Sequence, residues 1–169
     1  MTLTTISIIA AAAIYIAYNA ICLTLFSIPE SLSNTYYLWR EKNGKGWLFP
    51  LMMYAVVILM MPAWITMSEG SDFQFLSFLA PASIAFVGTA PRFKDGDLEN
   101  KVHTISAVIA AACSLLWVTL VTPYGWVMLI WWSIINGCFA ITKSYSCRVY
   151  WLETIAFGAT FTAAIMYSL

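Results

Sequence analysis

The chain has 169 residues, of which 62% are hydrophobic and only 9% charged. A water-soluble domain carries about 25% charged residues, so this composition excludes a protein whose whole surface is wet and makes a lipid bilayer the solvent. Eight Lys and Arg balance eight Asp and Glu, and no basic block offers a footprint for nucleic acid.

A bilayer-crossing helix needs about 20 mostly apolar residues. Six segments meet or approach this, and the predicted fold is all-α: one domain over residues 1–169, a bundle of six transmembrane helices with a short amphipathic interfacial helix after the first. The first predicted span is 3–26. Its apolar run is too long for a signal peptide and no cation precedes it, so it reads as a retained helix.

Next comes FSIPESLSNTYYLWREKNGKGW, residues 26–47. Ser27 followed by Glu30 has the form of a capping box, and Pro29 suits a first helical turn. Ile28, Leu32, Tyr36 and Trp39 recur near helical spacing, which predicts an interfacial helix over 28–40, ended by the NGKG turn signal. Such a helix is a membrane-lying elbow that fixes spans one and two or, with Glu30, Ser31, Asn34 and Tyr36 as its candidate functional positions, a gate or lid over a site.

The second span is 47–67, with Pro62 inside. The third, 73–90, is the shortest and holds Pro81, Ser83, Gly88 and Thr89, a composition that suits a re-entrant or broken helix. The connection PRFKDGDLENK has too poor a match to a calcium loop to hold the ion. Its acids are explained by Asp97 as an N-cap and Glu99 near the positive end of a helix dipole. Spans four to six are 102–121, 124–142 and 149–168, the fourth and fifth joined in a tight hairpin at TPYG.

All eight cations fall in alternate connections: Arg40, Lys42 and Lys45 after span one, Arg92, Lys94 and Lys101 around the start of span four, Lys143 and Arg148 before span six. An excess of Lys and Arg marks the cytoplasmic side. Six spans put all of them on that side and both termini on the other, in a cell membrane. Tyr36, Tyr37, Trp39 and Trp47 at the cationic end, and Tyr124 and Trp126 at the other, have the composition of aromatic belts. Ala107 with Ala111, and Ala159 with Ala163, form small-residue faces for close helix packing.

Few residues can carry chemistry. Glu153 is the one ionisable residue inside a span, which makes it a functional suspect, with Arg148 or Lys143 as candidate partners. His103 lies at similar depth and could exchange a proton with it. Asn19 and Asn136 lie deeper and suit interhelical hydrogen bonds. With Glu153 and Ser133 they could instead line a polar pocket open to the cytoplasmic side. Ser31 and Ser33, near His103, are the available nucleophiles. The four cysteines have no CxxC spacing, and one His cannot build a multi-histidine zinc site, so neither metal nor cofactor is expected.

The segment IPESLSNTYYLW, Ile28 to Trp39, resembles a stretch in small uncharacterised polytopic membrane proteins of Bacteroidota bacteria and their phages. That resemblance implies a bacterial cytoplasmic membrane and transfers no catalytic residue.

Three functions are consistent with these features. One is binding or conduction of a small solute or ion through a pocket at the cytoplasmic side. The second is a non-catalytic accessory role, packing against a membrane protein or a second copy. The third is a lipid-modifying enzyme with its site at the cytoplasmic interface. In each the partner common to all is membrane lipid.

Overall fold

The computed structural model describes residues 2–143 and 145–169. Among these residues the chain forms helices and turns and no strand: α1 (Leu3–Phe26), α2 (Thr35–Asn43), α3 (Leu48–Met67), α4 (Leu76–Thr89), α5 (Asp97–Leu120), α6 (Val127–Thr142), a 3-10 turn (Tyr145–Cys147) and α7 (Arg148–Ser168). Four of the helices, α1, α3, α5 and α7, are long and apolar enough to cross a membrane. Helices α4 and α6 have 14 and 16 residues, about 21 and 24 Å at 1.5 Å per residue, against a hydrocarbon core of about 30 Å. The turn before each closes through bonds three residues apart, such as Leu76 N–H to Phe73 O and Val127 N–H to Tyr124 O, so the predicted spans 73–90 and 124–142 begin as turns and become α-helix late. Pro81 lies within α4 without breaking it.

The helices close into a ring. α1 packs on α3, α3 on α4, α4 on α5, α5 on α7, and α7 back on α1. α6 lies outside this ring against α7, and only Val127 and Ile135 of its residues are buried. The outer surface is apolar, with Ile58 at 69% and Leu129 at 70% exposure, as a lipid solvent requires. Inside, the Trp117 indole is fully buried and donates from Nε1 to Ser68 Oγ at 2.7 Å, joining α5 to the end of α3. Gly158 lets α6 approach α7: a Cβ there would lie 2.6 Å from the Trp131 ring, and Trp131 Nε1 donates to Thr162 Oγ1 at 3.0 Å.

The three cation-bearing connections meet at one end of the ring. Lys94 Nζ reaches Asn34 Oδ1 at 2.7 Å and Glu30 Oε2 at 3.3 Å, Arg40 pairs with Asp95 at 3.3 Å, and Arg92 Nε donates to Tyr36 OH at 3.2 Å. That phenol oxygen holds the Arg92 guanidinium above its ordinary range, and an arginine is charged at every physiological pH in any case. From the last connection, Cys147 Sγ donates to Ile28 O at 3.3 Å and Tyr150 N–H to Glu30 O at 3.2 Å.

Those ties correct the expected interfacial helix. Residues 28–34 are turns, and α2 starts at Thr35. The capping box fails because Ser27 has a φ of 62° and because backbone groups of Glu30 and Leu32 bond to α7 instead of to one another. α2 runs to Asn43, past the expected bound at 40, and stops in the NGKG turn at Gly44, whose φ of 73° favours a residue without a Cβ. Tyr36 and Trp39 turn into the core, at 7% and 8% exposure, instead of joining a belt. Asp97 is the first residue of α5 and Gly96 its N-cap, so the two acids serve the helix dipole and not a side-chain cap.

Candidate functional site

A cavity of about 50 Å³ lies inside the ring. Waters need about 10–15 Å³ each on this measure, so the space admits a few waters or a thin chain. Its lining residues are spread along the lengths of α3 and α7, so we describe it as a slot. α3 lines it with Met53, Val56, Met60 and Trp64; α4 adds Ile84 and Val87. α7 contributes Glu153, Ala156, Phe157, Thr160 and Phe161. From Glu153 to Phe161, and from Met53 to Trp64, the helical rise gives a length of roughly 12–16 Å. α5 presents only small residues to the space, Ala107, Ala110, Ala111 and Ser114, where larger side chains would fill it. Ala159 and Ala163 behave as expected of packing residues, both fully buried in the core.

At the cationic end the slot is lined by Leu32, Ser33 and Glu153. Glu153 Oε2 accepts from the Leu32 backbone N–H at 2.6 Å. Its partner is therefore an amide of the connecting segment, not Arg148 or Lys143. The two ion pairs among the described residues are Arg40–Asp95 and Lys94–Glu30.

His103 is 5% exposed and stacks on Phe93, with ring centroids 4.4 Å apart. Its Nδ1 lies 2.9 Å from the Ala90 carbonyl oxygen and its Nε2 2.9 Å from Ser33 Oγ. A carbonyl only accepts, so in the neutral ring Nδ1 carries the proton and donates. Nε2 then holds the lone pair, and the Ser33 hydroxyl donates to it. His103 and Glu153 do not bond to one another. They meet the chain at adjacent residues, Ser33 and Leu32.

The other candidates fall into two groups. Asn19 is buried; its Nδ2 donates to Tyr15 O at 2.9 Å and its Oδ1 accepts from Tyr150 OH at 3.2 Å, an α1–α7 bond of the kind the sequence suggests. Glu30, Asn34 and Tyr36 hold Lys94 and Arg92, and Ser31 Oγ accepts from the Asn34 N–H at 3.0 Å. Glu30, Asn34 and Tyr36 are cross-links of the cationic end, Ser31 bonds within its own turn, and none of the four lines the slot. Ser133 and Asn136 lie apart from Glu153, because α6 is outside the ring. Both are exposed and donate to their own helix, to Leu129 O at 2.8 Å and Trp132 O at 2.7 Å. Asn136 lines a separate outward groove between α6 and α7, with Trp132, Arg148 and Leu152.

Sequence reasoning missed the Leu32 amide, the Ala90 carbonyl and the Phe93 ring. Backbone partners leave no signature in residue type, and Leu32 and Glu153 are 121 residues apart. Among the described residues no group of His, Cys, Asp and Glu is arranged to hold a metal ion. No family model, curated protein or solved structure matches the chain.

The arrangement defines a membrane-class helical protein with an apolar internal slot and a polar end.

Proposed function

We propose that this is a six-span membrane protein, its cationic end cytoplasmic, that binds an amphiphile from the surrounding lipid. The apolar tail occupies the slot and the polar group sits at Ser33 and Glu153. The observation that carries this reading is the lining of the slot: mostly apolar side chains, with Ser33 and Glu153 at the cationic end and Ser114 and Thr160 further along. Ligand sites are commonly apolar concavities with a few placed polar groups. The lining favours an amphiphile over a conducted ion, because an ion path needs polar partners throughout. Here Thr160 Oγ1 is already given to the Ala156 carbonyl, at 2.7 Å. Trp64, which lines the far end, is buried, and its Nε1–H has no partner among the described residues.

The test is slot filling. Ala111→Leu places a larger side chain in the lining. Native mass spectrometry of protein released from its own membrane, wild type against Ala111→Leu, should show a bound lipid-sized mass in the first and its loss in the second. Equal occupancy in both would overturn the slot as the binding site.

A further inference from the structure

We propose that Ser33 and His103 are a nucleophile–base pair that cleaves an ester of the amphiphile in the slot. The inference rests on the slot reading only for the place of the substrate's tail. The pair itself stands on separate geometry. Ser33 Oγ lies 2.9 Å from Nε2, the ring nitrogen that the Ala90 carbonyl leaves unprotonated. A serine hydroxyl donating to an imidazole whose other nitrogen is held by an acceptor is the arrangement that activates a serine. Here a backbone carbonyl takes the orienting position that a carboxylate holds in the Ser-His-Asp arrangement. Stacking on Phe93 at 4.4 Å fixes the ring plane. Ser33 is also one of the residues that line the slot, at its cationic end, so an ester at the end of a bound chain would lie beside this residue.

The chemistry balances with water as the only co-reactant. Ser33 Oγ bonds to the ester carbonyl carbon as its proton moves to His103 Nε2. The carbon–oxygen bond to the alcohol breaks, and the alcohol leaves with that proton. Water then gives a proton to Nε2 and attacks the acyl-Ser33 carbonyl. The bond to Ser33 breaks, and Oγ recovers its proton. Ester and water become acid and alcohol, with no change of oxidation state.

The alternative role for the pair is a purely structural tie between the 31–34 turn and α5, and the two roles separate experimentally. Full-length protein in lipid nanodiscs is treated with two fluorophosphonate probes, one with a methyl chain and one with a long alkyl chain, and the adduct is mapped by peptide mass spectrometry. The expected adduct is on Ser33 and is absent in Ser33→Ala. His103→Gln keeps an acceptor for Ser33 and a donor for Ala90 but has no base, so it should slow labelling about 100-fold or more while the protein elutes and melts as wild type. No Ser33 adduct in the wild type with either probe overturns the pair, as does unchanged labelling in His103→Gln. If both probes label Ser33 and Ala111→Leu slows neither, the pair stands and the slot reading fails.

Discussion

The carboxylate of Glu153 on α7 accepts a hydrogen bond of 2.6 Å from the backbone amide of Leu32, in the connection between α1 and α2. The bond ties the cationic end of the ring to its last helix. It also explains why residues 28–34 do not wind into the expected helix: the amide that would continue the turn is already occupied. An acidic side chain inside a span is costly without such a partner.

Replacing Glu153 with Leu removes the acceptor and leaves the Leu32 N–H buried and unpaired. Such a loss costs about 1–3 kcal/mol. Glu153→Gln keeps a carbonyl oxygen and should retain most of the stability. Thermal unfolding in detergent should therefore rank Glu153→Leu below Glu153→Gln and wild type. Identical melting of the Leu and Gln variants would show that the bond contributes nothing.

Gly158 sets the approach of α6 to α7. A methyl group there meets the Trp131 ring at 2.6 Å, and overpacking of this kind costs about 1–3 kcal/mol. Gly158→Ala should lower the melting midpoint. In a Trp131→Ala background the same change should cost little, because the ring it strikes is gone. Equal costs in both backgrounds would mean that the clash is not the cause.

Arg40 and Asp95 form an ion pair whose side chains are 51% and 45% exposed. Exposed pairs contribute about 0–1 kcal/mol. Arg40→Ala should thus shift unfolding little and less than Lys94→Ala, since Lys94 also holds Asn34 and lies 5.4 Å over the Tyr37 ring. A larger loss for Arg40→Ala would contradict this ordering.

The six-span reading puts Lys42 and Lys94 on one side of the membrane and Asp72 on the other. Cysteines introduced at each position, probed with an impermeant thiol reagent on sealed vesicles, should react from one face for Lys42 and Lys94 and from the opposite face for Asp72. The result that sinks the threading is Lys42 and Lys94 reacting from different faces.

What was legible in the sequence is what depends on solvent. The apolar runs mark helices suited to lipid, and the cations fall in the connections that the fold brings to one end. Glu153 and His103 stand out because a bilayer penalises them. Which face of each helix points inward was not legible. In lipid both faces are apolar, so the periodicity that betrays a core face in water is nearly absent. Tertiary structure alone decided that α6 lies outside the ring, which removes Ser133 and Asn136 from the slot. It also decided that Ala107 and Ala111 line a space, and that Ser33 rather than Ser31 meets His103. These outcomes turn on backbone donors and acceptors far apart in the chain, and every residue carries the same amide whatever its side chain.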